Sequence, residues 1–170
     1  MFIAVYGDTL CAMVSAAALA STGHQVTLHV SPGGVANTLN TGTFSLREPG
    51  LADLMLEQKR EGRLQVVGLD QRPDPRVTVL WLALAPDLLD YAHELVRSLP
   101  VSIDPEFLVV NQSTFPVGST EALQRAMQSR EGADARHGAV VSVPDLLTEG
   151  AALNGFTRSE HWLVGADLPW

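Results

Sequence analysis

The sequence contains a single cysteine, Cys11, and only 6% of its residues are aromatic. One cysteine excludes an internal disulfide and a cysteine-based zinc site, and such scarcity is typical of a reducing compartment. No apolar run approaches the roughly 20 residues that span a bilayer, and no basic segment precedes the apolar stretch at the N-terminus. The sequence therefore predicts neither a membrane protein nor a secreted one, and we expect a cytoplasmic protein.

Basic residues are also scarce, since 11 Lys and Arg stand against 19 Asp and Glu, a formal net charge of −8. Because nucleic-acid phosphates are neutralised by clustered basic side chains, this balance argues against general nucleic-acid binding. The five histidines show no ligand spacing, so no metal site is expected. What is present is 170 residues, 46% of them hydrophobic, and we expect residues 1–170 to form a single domain with one core.

The first 23 residues have the pattern of a strand, a turn and a helix. Phe2–Tyr6 is short and continuously apolar, as expected of a parallel strand covered on both faces. Gly7 ends it, and from Leu10 the apolar positions follow helical spacing until Gly23, a residue typical of helix ends. A strand, a glycine and a helix start bring unpaired N–H groups and the helix dipole to one point. This is the geometry that binds a pyrophosphate.

The remainder of the chain alternates between strand and helix patterns. Further strands are predicted at Gln25–Val30, Leu64–Val67, Val77–Ala83, Phe107–Val110, Ala139–Val143 and Trp162–Gly165. Helices are predicted from Leu51 until Gly62, from Leu88 to Leu99, and after Ser119, whose hydroxyl is a candidate cap. The alternation predicts an α/β fold, a Rossmann-like doubly wound sheet of six or seven mostly parallel strands with the first strand central.

The phosphate-binding pattern of such a turn is G-x-G-x-x-G/A, and here it reads Gly7-Asp8-Thr9-Leu10-Cys11-Ala12. Thr9 replaces the glycine that allows the backbone to approach the pyrophosphate, and we expect the charge of Asp8 to repel it. After the second strand, where NAD-binding folds carry an acid for the ribose, stands Val30-Ser31-Pro32, with no acid and no adjacent arginine. We therefore expect weak binding, improved by Asp8→Thr combined with Thr9→Gly.

Three longer motifs follow in order: Glu48-Pro49-Gly50-Leu51, then Ser113-Thr114-Phe115-Pro116-Val117-Gly118-Ser119-Thr120, then Val143-Pro144-Asp145-Leu146-Leu147-Thr148-Glu149-Gly150. With these motifs the chain resembles the N-terminal NAD-binding domain of the nucleotide-sugar 6-dehydrogenases, the UDP-glucose and GDP-mannose dehydrogenases. The family's patterns at these places are EPGL, STVPVG[ST]T and NPEFLxEG. The resemblance covers nearly the whole chain. By itself, Glu48-Pro49-Gly50 is also explained as a turn and a helix start.

The fingerprint and the resemblance together imply a set of cofactor-binding residues: Gly7, Thr9, Leu10, Ala12, Ser31, Ala85, Thr114 and Glu149. Thr114 matches a threonine that helps hold the catalytic water or the nicotinamide side. Asp145 matches the family's acid with one methylene less, so these two are the candidate catalytic residues. The lysine that often precedes the threonine is Gln112 here. From the residues alone, Thr114 is equally explained as a cap, and Asp145 with Glu149 as a solvated surface.

By the resemblance, the family oxidises the C6 alcohol of a nucleotide sugar with NAD, through a thiol-bound intermediate. Its nucleophilic cysteine lies in a later domain that these 170 residues do not include, and Cys11 has the setting of a buried small thiol. We therefore expect a pseudoenzyme that binds NAD weakly or not at all, with a nucleotide or nucleotide sugar as its other ligand. Two alternatives stay open. The chain is an interaction module that docks on a full-length dehydrogenase or another partner, or the N-terminal part of a longer active enzyme.

Overall fold

The computed structural model of the protein describes residues 1–33, 47–99, 107–129 and 138–166. These residues form one sheet of seven strands in the order β3-β2-β1-β4-β5-β6-β7. The strands are β1 (Phe2–Tyr6), β2 (Gln25–Val30), β3 (Leu64–Gly68), β4 (Val79–Leu82), β5 (Leu108–Asn111), β6 (Ala139–Ser142) and β7 (Gly165–Ala166). Neighbouring strands are parallel except β7, which is antiparallel to β6. The predicted mostly parallel α/β sheet is confirmed, with β1 in its interior.

Helices cover both faces of this sheet. They are α1 (Leu10–Ser21), α2 (Leu51–Arg60), α3 (Leu89–Ser98), α4 (Ser119–Gln128) and α5 (Ala152–Thr157). Ile3 and Val5 of β1 belong to one core, with side chains of α1, α2 and α5. Ala4 and Tyr6 belong to the other core, with side chains of α3 and α4. Because successive strand residues point to opposite faces, the continuously apolar β1 contributes to both cores.

The order of the strands reverses between β1 and β4. From β1 the chain passes to β2 and then β3 on one side, and it enters β4 on the other side of β1. Tyr6 and Leu82, the last residues of these two neighbouring strands, are paired in the register. In open α/β sheets, ligands bind beyond the carboxyl ends of the strands at such a reversal. The fold therefore places the candidate site where the turn after β1 meets the end of β4.

Three of the predicted strands differ from the structure by one residue at one or both ends, and two others differ by two residues or more. The pattern predicted Val77–Ala83, but β4 covers only Val79–Leu82, because the N–H of Val77 donates to the carbonyl of Asp74 in a turn. The last strand was predicted at Trp162–Gly165 and is Gly165–Ala166 instead. The ring of Trp162 packs edge-on against Phe156, with 4.8 Å between ring centroids, so its apolar character reflects a side-chain contact rather than a strand.

The prediction that Ser119 caps α4 is wrong. The N-cap is Gly118, whose φ of 88° is a left-handed conformation, and it makes no side-chain cap. The hydroxyl of Ser119 donates to the carbonyl of Pro116 and so stabilises the preceding turn. Pro100, which directly follows the helix predicted from Leu88 to Leu99, and the polar stretch 131–137 lie outside the described residues. Within the described part of the chain, no helix has the length and apolarity needed to cross a membrane.

Candidate functional site

The turn after β1 packs directly against the end of β4. Gly7 has a φ of 143°, and a Cβ at this position would lie 2.1 Å from the carbonyl oxygen of Ala83. The N–H of Gly7 donates to the carbonyl of His29, and the N–H of Ala83 donates to that of Tyr6. The first glycine of the fingerprint is therefore required by close packing, since any side chain would clash with the backbone of Ala83, directly after β4.

Thr9 is the N-cap of α1. Its Oγ1 accepts the N–H of Ala12 at 3.1 Å and donates to the carbonyl of Ala83 at 3.1 Å. Its φ of −77° and ψ of 161° are ordinary extended values, so the backbone here does not need glycine. The N–H groups of Leu10 and Cys11, the first two helical residues, have no partner inside the helix. The turn thus keeps two donors for an anion, with the threonine side chain beside them.

Asp8 is tied to the end of β2. Its Oδ2 accepts the N–H of Ser31 at 2.8 Å, while its Oδ1 is buried without a hydrogen-bond partner among the described residues. An acid is therefore present where the sequence indicated none, because the β1–α1 turn supplies it instead of β2. The carboxylate belongs to the β2 end of the crevice, which changes our expectation that Asp8 acts on the pyrophosphate.

Tyr6 and His29 form a stacked pair at the ends of β1 and β2. Their ring centroids are 4.1 Å apart and their planes differ by 7°. The Tyr6 hydroxyl and both ring nitrogens of His29 are buried without a hydrogen-bond partner in the described part of the chain. Burial lowers the pKa of His29 to about 4, while the backbone of Gly68 and Gln71 acts in the opposite direction. His29 is therefore neutral at pH 7.

Gln112 is fixed by two hydrogen bonds beyond β5. Its Oε1 accepts from Nε1 of Trp81 at 2.7 Å and from the hydroxyl of Ser15 at 2.9 Å, and all three side chains are buried. Because an indole N–H can only donate, the amide oxygen is the atom that faces it. A lysine at position 112 would set a second donor against Trp81. Glutamine therefore fits this core in a way that the family's lysine would not.

Gln112 also lines a cleft of about 140 Å³ beyond the end of β6. The other lining residues are mostly apolar: Val143, Pro144, Leu146, Leu147, Phe156, Trp162 and Leu163. Four apolar side chains beside this cleft are exposed, and we call them the rim strip: Leu146, Trp162, Leu163 and Val164. A group of exposed apolar side chains of this kind is typical of a surface that contacts another protein.

Glu48 is a buried acid, 4% exposed, that joins two distant segments. Its Oε2 accepts the N–H of Gly150 at 2.7 Å, and its Oε1 accepts the N–H of Leu153 at 3.0 Å. Leu153 lies in the first turn of α5, so the carboxylate satisfies a helix start as well as a loop. The interpretation of Glu48-Pro49-Gly50 as only a turn and a helix start is therefore incomplete, since Glu48 also holds α5 in place.

Comparison with known proteins agrees with this geometry. The family model for the UDP-glucose/GDP-mannose dehydrogenase family, NAD binding domain, matches residues 1–169. The chain belongs to this family. A curated relative, the UDP-glucose 6-dehydrogenase of Rhizobium meliloti, is 28% identical to it over 98% of this chain and 40% of the relative.

Solved structures of nucleotide-sugar dehydrogenases have the same fold. A UDP-glucose dehydrogenase from Pyrobaculum islandicum superposes with a TM-score of 0.79 at 25% identity, over 98% of this chain and 41% of that one. The UDP-N-acetyl-mannosamine dehydrogenase Cap5O from Staphylococcus aureus gives a TM-score of 0.82 at 15% identity, over 99% of this chain and 42% of that one, and shows the fold alone. The chain spans about 40% of the length of the relatives it matches.

The structure of this NAD-binding domain brings the predicted cofactor residues to one edge of the sheet. Five of them lie near the reversal between β1 and β4 or directly after β2: Gly7, Thr9, Leu10, Ala12 and Ser31. Ala85 follows β4, while Thr114 and Glu149 follow β5 and β6 and are exposed. Ala12 is fully buried and its N–H is bonded to Thr9, so its contribution is packing rather than contact with a ligand.

Asp145 lies beside the first turn of α1 in this NAD-binding domain. Its Oδ1 accepts the N–H of Leu147 at 3.1 Å, and its carboxylate lies close enough to Cys11 to act on the pKa of the thiol. Burial, and after it the charge of Asp145, raises the pKa of the Cys11 thiol. The thiol is 4% exposed and protonated, which agrees with the expected small buried cysteine. Among the described residues, no group of three side chains is arranged to hold a metal ion.

Proposed function

We propose that this chain holds NAD weakly in the crevice between β2 and β4 and does not by itself oxidise a nucleotide sugar. The start of α1 carries this proposal. The N–H groups of Leu10 and Cys11 would hold the pyrophosphate, and the carboxylate of Asp8, with its unpartnered oxygen, would take a ribose hydroxyl. These groups fit a dinucleotide. When bound, NAD supplies a hydride acceptor.

The weakness follows from two features of the same turn. Thr9 adds a side chain where close approach of the backbone is needed, and its hydroxyl occupies the N–H of Ala12. Asp145 adds a negative charge beside the first turn of α1. Each lost hydrogen bond costs on the order of 1 kcal/mol, and every 1.4 kcal/mol is tenfold in affinity. The loss of the Ala12 N–H as a donor and the repulsion by Asp145 together support a dissociation constant in the millimolar range.

The binding experiment is a titration of the purified chain with NADH, in which calorimetry or NMR measures the dissociation constant. Leu10→Pro removes one N–H donor without breaking the helix, since proline is tolerated at a first helical position and Thr9 already has the extended backbone that proline requires. Leu10→Ala is the matched control, because it keeps the donor and loses the side chain. We expect affinity to fall about tenfold in the proline variant only. A low micromolar dissociation constant for the wild type would contradict weak binding.

The burial of the Cys11 thiol supports the proposal that this chain alone does not oxidise a nucleotide sugar. A two-step oxidation through a thiol-bound intermediate needs an accessible nucleophile, and Cys11 is buried with a raised pKa. We expect no NADH from UDP-glucose or GDP-mannose with the purified chain. NADH formation that is lost in Thr114→Ala would overturn this part of the proposal and would restore the interpretation as an active enzyme.

A second candidate function is docking, favoured by the rim strip. Leu163 is 67% exposed and Leu146 is 75% exposed, on a domain that corresponds to about 40% of its relatives. The proposed occupant is a full-length nucleotide-sugar dehydrogenase. Sedimentation of the chain mixed with a full-length dehydrogenase of the same organism tests this. We expect a complex that Leu163→Glu abolishes and Val117→Glu, at another exposed apolar residue, preserves; two separate species would reject the docking function.

A further inference from the structure

We infer that Asp8 selects NAD against NADP, from the β1–α1 turn rather than from the end of β2. This inference rests on the proposed NAD binding. NAD and NADP differ only by a phosphate on the adenosine 2′-hydroxyl, so the residues at the ribose end of the crevice decide between them. An acid accepts the free hydroxyl and repels the phosphate, whereas an arginine attracts the phosphate.

The position of the carboxylate is the first support. Ser31 follows directly on β2, at the place where dinucleotide-binding folds carry the ribose-binding acid. The Oδ2 atom of Asp8 lies 2.8 Å from the N–H of Ser31. The turn therefore delivers a carboxylate to this place although the sequence of β2 provides none.

The second support is that one carboxylate oxygen of Asp8 lacks a hydrogen-bond donor. Oδ1 of Asp8 is buried and has no donor among the described residues, and an unsatisfied buried acceptor is costly. Oδ2 accepts a single bond there, although a carboxylate oxygen has two lone pairs. A ribose diol has two hydroxyl donors, which match the acceptors that this carboxylate still offers.

The distribution of charge is the third support. Asp8 is the only Asp, Glu, Lys or Arg residue in the first 46 residues, so the sequence over β1, α1 and β2 contains no basic side chain for a 2′-phosphate. The ion pairs of the described residues join Arg63 to Glu61, Arg76 to Asp74 and Arg125 to Glu121, and none includes Asp8. The 2′-phosphate of NADP would therefore meet the negative charge of Asp8, with no basic side chain supplied by β1, α1 or β2.

The test is to titrate the purified chain with NADH and with NADPH at low salt. Asp8→Asn is nearly isosteric and keeps an oxygen for the N–H of Ser31, so it removes the charge and preserves the fold. Asp87→Asn is the matched control, because Asp87 is an exposed acid in the turn after β4. We expect the wild type and the control to prefer NADH by about tenfold or more, and Asp8→Asn to reduce that preference to within about threefold.

The outcomes separate this inference from the proposed function. Binding of NADH with no preference over NADPH, or a preference that Asp8→Asn leaves intact, overturns the role of Asp8 and leaves NAD binding standing. No binding of either dinucleotide at millimolar concentration overturns the proposed NAD binding, and the selectivity with it. A loss of preference in both Asp8→Asn and Asp87→Asn assigns the effect to overall charge and rejects Asp8 as the selecting residue.

Discussion

The two halves of the carboxyl edge of the sheet differ in the hydrogen bonding of their buried polar groups. On the β5 and β6 side, Gln112 receives two donors on one oxygen, and both oxygens of Glu48 accept backbone N–H groups. On the β1 and β2 side, Asp8, Tyr6 and His29 carry buried polar atoms with no partner in the described part of the chain. Because such an atom costs about 1–3 kcal/mol, we interpret the satisfied half as scaffold and expect a ligand or water to complete the bonding in the other half.

The largest expected effect is in the satisfied half. Glu48→Ala removes the acceptor of two charge-assisted hydrogen bonds and detaches the start of α5, so we expect the free energy of unfolding to fall by about 4 kcal/mol. Chemical denaturation measures it. Glu149→Ala, an exposed neighbour of the same loop, is the control and should change stability by less than about 0.5 kcal/mol. If the two variants are equally stable, Glu48 is not the scaffold residue that its burial indicates.

The next effect is a pH dependence in the unsatisfied half. The pKa of His29 is about 4 in the folded protein against an ordinary value of 6.5, so between these values the unfolded chain binds a proton that the folded protein does not. Stability therefore falls as the pH falls from 6.5 to 4, by about 3 kcal/mol in total from this group. Denaturation at several pH values measures this, and His29→Phe should flatten the profile by that amount.

His161→Gln serves as the control for His29, because His161 is exposed and its replacement should leave the profile unchanged. A profile for His29→Phe that has the wild-type slope would show that other groups cause the acid sensitivity. In that case the burial of the pair Tyr6 and His29 would not cause the pH dependence, and this difference between the two halves would disappear.

A smaller effect is expected at Gln112. Gln112→Leu leaves the donors of Trp81 and Ser15 buried without an acceptor, which should cost about 2 kcal/mol. Ser15→Ala should cost less, because the bond between Trp81 and Gln112 remains. Unfolding measurements on both variants check the order. If Ser15→Ala lowers the free energy of unfolding more than Gln112→Leu does, the network is not centred on the amide oxygen of Gln112. The stability of the satisfied half would then depend on other contacts.

The smallest effect concerns the turn itself. Thr9→Gly restores the fingerprint and should tighten NADH binding about fivefold, since it removes a side chain from the pyrophosphate position. The helix should lose only a few tenths of a kcal/mol, because glycine is an acceptable N-cap. Unlike in the double change expected from the sequence, Asp8 is kept in this variant, since we infer that its carboxylate binds the ribose. Unchanged affinity would mean that Thr9 does not limit binding.

Much of the fold was predictable because it depends on local patterns. β1 and β2 begin and end where the apolar runs predict, since a glycine and a Ser-Pro-Gly sequence interrupt those runs. The helix α2 likewise begins at Leu51, directly after the glycine that caps it. The prediction that Ser119 caps α4 was wrong because Gly118, in a left-handed conformation, is the N-cap one residue earlier. Local signals therefore located elements well and caps less well.

The candidate site was predictable only in part, because its important contacts join distant residues. Gly7 was found from the fingerprint, a local pattern with a local cause. The bonds from Asp8 to Ser31, from Ser15 to Gln112 and from Glu48 to Gly150 span 23, 97 and 102 residues. Nothing around Glu48 indicates that its partner lies at the start of α5. Only the fold brings such groups together, so their roles appeared only in the structure.

The hydrogen bond between Glu48 and Gly150 also has a consequence for the timing of synthesis. The two residues are 102 positions apart, so at about 5–20 residues per second roughly 5–20 s pass between their incorporation on a ribosome. During this interval the carboxylate has no backbone partner, and water must solvate it. Its burial becomes favourable only once the segment that carries Gly150 and Leu153 has been translated. A prematurely terminated chain thus exposes an acid that the complete domain conceals.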